Sequence, residues 1–342
     1  MGKTFIIAEA GANFDGSLEQ AKALIDVAVE SGADACKFQT YSSNTLYASN
    51  TPDFAGYENI NDLIKKLELP RKWQKDLKLY CDDNGIEFMS TPFDEAAVEQ
   101  LVSLGVKRLK IAGFEATDPR FVEMVASTKL PIIMSAGIGF DFKYWGIYAN
   151  IFKKYGNHVT LLHCNNAYPT PSKDVRLDSM PSLGEMIEVD EYGFSDHTMS
   201  TLTPALAVAK GATCIEKHFT LSRHLDGPDH KFAMEPNQLK EMVDLIREAE
   251  LTLGFKDGYT ESEQNFKPAM RSVVTRRALK AGELLTVNNI TTKRPCFDHT
   301  APAMDYYNII GYPVESDIDA DTPIDVKDIP LYYEPRDHVP GS

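Results

Sequence analysis

The fold of this chain is predicted from two stretches, Gly193-Phe194-Ser195-Asp196-His197-Thr198 and Glu216-Lys217-His218-Phe219. Each ends an apolar segment of strand-like composition and places a histidine where that segment stops. If the two segments are adjacent strands, His197 and His218 lie close together. Two imidazoles with carboxylates around them suit a divalent cation. The alternative is two ordinary structural histidines, because a histidine pair without local ligand spacing is weak evidence for a metal site.

Strand-like and helix-like segments alternate along the first 254 residues. Eight strand candidates within about 250 residues predict an α/β fold, a closed (β/α)8 TIM barrel, with an open doubly wound sheet as the alternative. No G-x-G-x-x-G follows the first strand, which disfavours dinucleotide binding. The predicted strands are 4–11, 34–40, 86–90, 107–111, 131–135, 159–163, 191–195 and 213–218. Predicted helices include 18–29, opened by a Ser17-x-x-Gln20 capping box, 70–83, 95–104, 119–127 and 238–253, and a long loop is predicted over 41–69.

The sequence changes character after residue 254. Residues 255–271 are polar and predicted to form a linker, and 272–331 are predicted to form a small, mostly β domain. Within that domain, short strand-like pieces occur at 272–275, 280–283, 290–292 and 308–311. The tail, 332–342, is predicted to be flexible.

Composition limits the classes of partner. The 342 residues include 35 basic and 50 acidic side chains, a net charge of −15, which disfavours binding to nucleic acid or to an anionic membrane. No apolar run approaches membrane-spanning length. The five cysteines are scattered and never form a C-x-x-C pair, so they predict neither a disulfide framework nor a zinc ribbon. A cytoplasmic protein that binds small molecules, or a second copy of itself, is expected.

Polar side chains recur at the carboxyl ends of the predicted strands, where barrel enzymes carry their active sites. Two lysines with nearby hydroxyls suit a phosphate and a carboxylate, while the histidine pair would hold a metal that polarises a carbonyl. A phosphorylated carboxylate and a carbonyl compound are therefore the predicted substrates. The predicted ring comprises Glu9, Lys37, Gln39, Ser90, Thr91, Lys110, Ser135, His163, Ser195, His197, Glu216 and His218.

Several motifs together resemble the sialic acid (N-acetylneuraminate) synthase family, which includes legionaminic and pseudaminic acid synthases. They cover residues 4 to about 330, and Lys293-Arg294-Pro295 is similar to that family's C-terminal antifreeze-like (SAF) domain. The other motifs are Ile7-Ala8-Glu9-Ala10-Gly11-Ala12-Asn13, Lys37-Phe38-Gln39-Thr40, Ser90-Thr91-Pro92-Phe93-Asp94, Leu109-Lys110-Ile111, the run from Leu162 to Pro171, Phe194-Ser195-Asp196-His197-Thr198, Glu216-Lys217-His218-Phe219-Thr220 and Gly227-Pro228-Asp229-His230.

The resemblance implies a transferase that condenses phosphoenolpyruvate with an N-acetylated aldose, giving a nine-carbon 2-keto sugar acid and phosphate. It implies Mn2+ or Mg2+ held by His197 and His218, with Glu9 as a third catalytic residue. It also implies a domain-exchanged homodimer, in which Arg294 reaches the sugar in the partner's barrel. Lys37, Thr91, Lys110, Ser135 and Ser195 are the implied phosphoenolpyruvate contacts, and Gln39, Asn166, Tyr168 and Asp229 the implied sugar contacts.

Three positions depart from the family pattern: Phe14 replaces a common histidine, Gly113 a common serine, and Cys296-Phe297-Asp298-His299 a glycine-rich run. The change at Gly113 removes one expected contact to phosphate or carboxylate, which Ser135 or a backbone N–H would have to replace. Two alternatives remain. One is another barrel aldolase or phosphoenolpyruvate-dependent synthase acting on a phosphorylated aldose, and the other is a non-catalytic sugar-binding relative.

Overall fold

The computed structural model describes residues 2–53, 58–182, 189–329 and 332. The chain divides into two compact units, Met1–Gly254 and Phe255–Ser342. Apart from Tyr332, the predicted flexible tail lies outside the described residues. None of the helices in the described ranges combines the length and the apolar character that a membrane span requires.

Within the described part of the first unit, eight parallel strands form one sheet in the order β3-β2-β1-β8-β7-β6-β5-β4. The two strands at the ends of this order, β3 and β4, contact each other, so the sheet closes into the predicted barrel. All carboxyl ends therefore meet at one rim. The strands are β1 (Phe5–Gly11), β2 (Ala35–Thr40), β3 (Glu87–Pro92), β4 (Leu109–Ile111), β5 (Ile132–Ala136), β6 (Val159–Cys164), β7 (Glu191–Asp196) and β8 (Cys214–His218).

An apolar layer fills the barrel interior. Successive side chains of a strand point to opposite faces, so a residue two positions beyond this layer again points inward. Ile7, Met89, Ile133, Leu162 and Cys214 belong to this cluster, together with Ala35. The inward positions two residues further along these strands hold polar side chains: Glu9, Lys37, Thr91, Ser135, Cys164 and Glu216. The layer therefore lies beneath a ring of polar groups at the rim.

Helices follow the strands and bury their apolar faces against the outside of the barrel. Ser17 caps the first helix by accepting a hydrogen bond from the Gln20 N–H at 3.2 Å. The predicted reciprocal half of the capping box is absent, because the Gln20 amide instead donates to the Asn13 carbonyl at 2.8 Å. The α-helices of this unit include Leu18–Ser31, Ser43–Leu46, Ile60–Leu67, Gln74–Asp83, Glu95–Ser103, Pro119–Ser127, Trp145–Tyr155, Leu202–Ala209 and Pro236–Thr252.

The predicted loop over 41–69 is partly wrong, because it contains the short helices Ser43–Leu46 and Ile60–Leu67. The helix predicted from residue 70 begins with a 3-10 turn, Arg71–Trp73, before the α-helix at Gln74. In the second unit, the pieces predicted as strands at 272–275 and 290–292 do form strands, β9 (Ser272–Thr275) and β10 (Ile290–Lys293), and the two pair antiparallel.

The pieces predicted as strands at 280–283 and 308–311 are turns. The reason is local hydrogen bonding, because the Asn308 and Ile309 amides donate to the Asp305 carbonyl instead of to a neighbouring strand. Gly282 and Gly311 also have left-handed φ angles of 83° and 90°, which a regular strand does not contain.

Candidate active site

A polar cavity opens at the carboxyl-end rim of the barrel and collects most of the predicted site residues. It includes all three predicted catalytic residues, all five predicted phosphoenolpyruvate contacts, and three of the five predicted sugar contacts. Its lining residues are Glu9, Lys37, Gln39, Thr91, Lys110, Ala112, Gly113, Phe114, Ser135, Cys164, Asn166, Tyr168, Ser195, His197, Glu216 and His218.

The two remaining predicted sugar contacts lie elsewhere. Asp229 lies beside Gly11, at the end of β1, where a Cβ on that glycine would be 2.9 Å from its Oδ2 and 3.5 Å from His218 Nδ1. Arg294 is an exposed side chain of the second unit. Asp229 is therefore next to the histidines at the rim, whereas the role of Arg294 stays a prediction.

Two members of the predicted ring do not reach the cavity. The Ser90 hydroxyl lies 2.7 Å from Thr40 Oγ1. His163 Nε2 lies 2.6 Å from the Val175 carbonyl oxygen, and its ring stacks on Phe194. The prediction is wrong for both residues because each immediately precedes an inward-facing one, Thr91 or Cys164, and neighbouring residues of a strand face opposite ways.

Two lysines and two carboxylates form the floor of the cavity, and all four are buried. Lys37 Nζ lies 2.6 Å from Glu9 Oε2 and 3.6 Å from Glu216 Oε2. Lys110 Nζ lies 3.7 Å from Glu216 Oε1. Glu216 therefore lies between two ammonium groups. Neither its position at a strand end nor its residue type had predicted this arrangement.

This arrangement moves the pKa values of the two carboxyl groups in opposite directions. Burial raises the pKa of Glu9 to about 7, although the Lys37 ammonium opposes the rise. Burial alone would raise the pKa of Glu216 too, but Lys110 and Lys37 outweigh it and hold that pKa at about 2. Glu9 is therefore the carboxyl group of the two that is more easily protonated, while Glu216 is held as a carboxylate.

Hydroxyl groups accompany both lysines. Lys37 donates to Thr91 Oγ1 and Lys110 donates to Ser135 Oγ, each at 2.8 Å. Ser195 donates to Glu216 Oε1 at 3.1 Å. A hydroxyl that accepts from a lysine still has a hydrogen to donate. Each lysine and its hydroxyl can therefore bind one anionic group together.

The predicted histidine pair is formed, because the His197 and His218 rings lie 5.6 Å apart between centroids. His197 Nδ1 lies 2.6 Å from the Asn165 carbonyl oxygen, so it carries the hydrogen and leaves Nε2 with a free lone pair. His218 Nδ1 is buried without a hydrogen-bond partner among the described residues. Burial lowers the pKa of both imidazoles and keeps them neutral, the form that binds metal ions.

These features fit a divalent cation with open coordination positions. A buried ring nitrogen without a partner calls for a ligand or water, and His197 has the oriented ring that metal-binding histidines have. In the described part of the chain, no third His, Cys, Asp or Glu side chain joins the pair as a metal-binding group. Water or substrate oxygens would therefore supply the other ligands.

A buried ion pair on the outer face of the barrel holds the loop that carries His197. Lys217 Nζ lies 2.7 Å from Asp196 Oδ2 and also donates to the Thr198 carbonyl. Asp196 Oδ1 accepts from the Thr198 N–H at 2.8 Å. Residue type alone assigns no role to this pair. Its only indication in the sequence is a lysine at an outward position of β8, between the glutamate and the histidine of the site.

A parallel barrel with two buried lysines and a histidine pair at its rim, followed along the chain by a small β unit, is the class of protein that the fold and the site define. The chain belongs to the NeuB family, whose model matches residues 24–258, and a model of the SAF domain matches residues 270–330. Both matches confirm the predicted resemblance.

Curated relatives span nearly the whole chain. The N,N'-diacetyllegionaminic acid synthase of Legionella pneumophila is 39% identical, over 93% of this chain and 92% of its own length. The pseudaminic acid synthase of Campylobacter jejuni is 36% identical, over 93% and 94%. The crystal structure of the sialic acid synthetase of Leptospira borgpetersenii, in complex with citrate, has a TM-score of 0.71 and 34% identity, covering 78% of this chain and 90% of that one.

Proposed function

We propose that this chain is a synthase of nine-carbon 2-keto sugar acids, which condenses phosphoenolpyruvate with an N-acetylated aldose. The observation that supports this proposal is one cavity in which Lys37 and Lys110, each with a hydroxyl at 2.8 Å, lie next to two neutral histidines. Relatives that match nearly all of the chain are named as legionaminic and pseudaminic acid synthases. The five free, buried cysteines fit a reducing cytoplasm.

In this proposal the lysines bind phosphoenolpyruvate. Its phosphate and carboxylate occupy the positions offered by Lys37 with Thr91 and by Lys110 with Ser135, and Ser195 is a further contact. Carbon 3 of phosphoenolpyruvate forms the new bond to the aldehyde carbon of the open-chain sugar. Water then adds at carbon 2, and phosphate leaves with cleavage of the C–O bond, so the products are the 2-keto acid and inorganic phosphate.

The sugar occupies the side of the cavity nearer the histidines. A divalent cation, Mn2+ or Mg2+, held by His197 and His218 would polarise the aldehyde oxygen as a Lewis acid. Glu9, whose pKa burial raises to about 7, donates the proton that the new hydroxyl group requires. Gln39, whose amide donates to Glu9 Oε1 at 2.9 Å, orients that carboxyl group and contacts the sugar together with Tyr168 and Asp229.

A substrate panel tests this function. Purified protein with Mn2+ and phosphoenolpyruvate is offered N-acetylmannosamine, a diacetamido-trideoxyhexose and a phosphorylated aldose, and both phosphate and keto acid are measured. We expect the two products in equal amounts with an N-acetylated sugar, and none after EDTA treatment. A reaction without sugar controls for simple hydrolysis. Turnover only with the phosphorylated aldose, or no turnover with any sugar, would contradict the proposal.

We also propose that Arg294 contacts the N-acetyl group in the partner's barrel of a domain-exchanged dimer. Arg294→Ala is then expected to raise the KM for the sugar about tenfold or more, the usual consequence of losing a hydrogen bond from a charged group. The KM for phosphoenolpyruvate should change less than about twofold. Arg277→Ala is the matched control, since Arg277 is an exposed arginine of the same unit, paired with Glu283.

Mixing two impaired variants, assayed at a sugar concentration well below the wild-type KM, tests the exchange. In a dimer formed from Arg294→Ala and His218→Ala subunits, an exchanged arrangement combines one intact barrel with one intact second unit. When equal amounts of the two variants are mixed and their subunits re-pair at random, half of the dimers contain one subunit of each kind. Each of these dimers has one working site out of two, so about a quarter of the wild-type activity should be recovered. An arrangement without exchange combines no intact pair, so activity no higher than that of the better parent would refute the proposed dimer.

A further inference from the structure

A buried histidine joins the loops that follow the first and the last strand of the barrel. His230 is completely buried, and both of its ring nitrogens have partners. Nε2 lies 2.9 Å from Asp15 Oδ1, so it carries the hydrogen and donates it to the carboxylate. Nδ1 lies 2.6 Å from the hydroxyl oxygen of Thr220, which is also completely buried. His230 therefore ties the loop after β8 to the loop after β1.

The partner of His230 in the loop after β1 is itself held in place. Asp15 accepts a second hydrogen bond from the side-chain amide of Gln20, in the first helix. The same amide donates to the Asn13 carbonyl at 2.8 Å. The Asn13 side chain in turn donates to the Phe219 carbonyl at 2.8 Å, which adds another link between the two loops. Asp15 is therefore a fixed acceptor that can hold the loop after β8 in one position.

Gly227 leaves the space in which the His230 ring lies. A Cβ added to Gly227 would lie 2.7 Å from His230 Cδ2 and 3.1 Å from its Nε2. The first distance is shorter than the contacts that real Cβ atoms make, so a side chain at residue 227 would push the ring away from Asp15. Within the Gly227-Pro228-Asp229-His230 motif, the first and the last residue therefore act together.

The residue before His230 is Asp229, a predicted sugar contact. Its carboxylate accepts a hydrogen bond from the Ala12 N–H, in the loop after β1. Asp229 Oδ2 would lie 2.9 Å from a Cβ on Gly11, and His218 Nδ1 would lie 3.5 Å from the same Cβ. Asp229 and the His218 imidazole therefore flank the end of β1 at the rim. A carboxylate on a loop keeps such a position only while the backbone of that loop is held.

We propose that His230 is a positioning residue for the sugar site: its hydrogen bonds to Asp15 and Thr220 hold the loop after β8 so that the Asp229 carboxylate faces the sugar. The assignment rests on the proposed function. It gives each polar residue of the motif a separate task, because Asp229 contacts the substrate while His230, which is completely buried, acts through its neighbour.

Kinetics of His230→Leu test the proposal. Leucine fills much of the space of the ring but makes neither hydrogen bond. We expect the KM for the N-acetylated sugar to rise about tenfold, the effect of losing one hydrogen bond to a charged group, and the KM for phosphoenolpyruvate to change less than about twofold. His230→Gln, whose side-chain amide can again donate to Asp15, should recover most of the loss. An unchanged KM for the sugar, or equal increases in both KM values, would overturn the proposal.

Arg247→Leu is the matched control for a loss of stability. Arg247 donates to Asp34 Oδ2 at 2.8 Å and to the Thr4 carbonyl at 2.9 Å, at the amino ends of the strands and away from the rim. Both variants should unfold at a lower urea concentration than wild type, but only His230→Leu should raise the KM for the sugar. The same increase in the control would mean that reduced stability explains the effect, and it would refute the positioning role.

A double variant shows whether His230 acts through Asp229. If it does, Asp229→Ala combined with His230→Leu should have the same KM for the sugar as Asp229→Ala alone, because the carboxylate to be positioned is already absent. Increases that multiply in the double variant would show that His230 acts through another group, contrary to the proposal.

Hydrogen exchange of the backbone amides, followed by mass spectrometry without substrates, separates this inference from the proposed function. In His230→Leu we expect faster exchange in residues 11–16 and 219–234, and wild-type exchange at the ends of β4 and β5. Faster exchange confined to the two loops would support the link even if wild-type protein had no synthase activity. Unchanged exchange would refute it even if that activity were established. If His230→Leu does not fold, Asp15→Gly breaks the same link, because glycine readily adopts the left-handed φ of 48° found at Asp15.

Discussion

His218→Ala is expected to lower metal-dependent turnover by about a hundred- to a thousandfold, because it removes one of the two imidazoles proposed to hold the cation that polarises the aldehyde. The His218 ring packs against Tyr168 and Phe232, so its loss leaves a small space without breaking a side-chain hydrogen bond among the described residues. Steady-state kinetics over a range of Mn2+ concentrations measure the loss. Calorimetric titration with Mn2+, without substrates, should show that binding is weakened as well.

His158→Ala is the matched control for that variant. His158 is a half-exposed histidine near Asp190 and Glu191, and it does not line the cavity. Its removal should leave both Mn2+ binding and turnover within about twofold of wild type, as expected for a surface substitution. Wild-type Mn2+ affinity in His218→Ala would refute the proposed metal site, whatever happens to turnover.

Lys217→Met is expected to lower the free energy of unfolding by about 3–5 kcal/mol, because it leaves the Asp196 carboxylate buried without its counter-charge. Methionine retains most of the length of the lysine side chain, so lost packing is a minor part of the effect. The variant also removes the hydrogen bond from Lys217 to the Thr198 carbonyl, which lies next to His197 in the chain. Urea denaturation followed by circular dichroism measures the change.

Two further variants identify the cause of that loss. Lys210→Met removes a lysine whose ion pair with Asp178, at 2.7 Å, is exposed, and it should cost no more than about 1 kcal/mol. Adding Asp196→Asn to Lys217→Met removes the uncompensated charge and should recover part of the stability. A loss in Lys217→Met as small as that in Lys210→Met would mean that the buried pair contributes little.

The barrel was predictable because its strands are buried apolar segments separated by helices with clear ends. The second unit was harder to predict. Its backbone groups pair mostly in isolated bridges and turns, so strand-like segments such as 280–283 never form strands. Of the helices within 41–69, Ser43–Leu46 is a single turn and too short to give a periodic pattern. Ile60–Leu67 does have apolar residues at helical spacing, Ile60, Leu63, Ile64 and Leu67, and the prediction overlooked them.

The site was predictable to the extent that strand ends determine it. Parallel strands bring their carboxyl ends to one rim, so Lys37, Lys110 and His218 could be grouped without coordinates. Neighbouring polar residues such as Ser90 and Thr91 could not be separated, because a shift of one residue reverses which of them faces inward.

The pairing of β1 has a consequence for how the protein is made. Glu9 is in register with Lys37 on one side and with His218 on the other, so the first strand closes the barrel against the last. A chain still being synthesised can pair β1 with β2, but it lacks a neighbour for the other edge until β8 leaves the ribosome. Contacts between such distant residues form late and slowly. The cavity is therefore complete only when the barrel closes, and incomplete chains would be inactive.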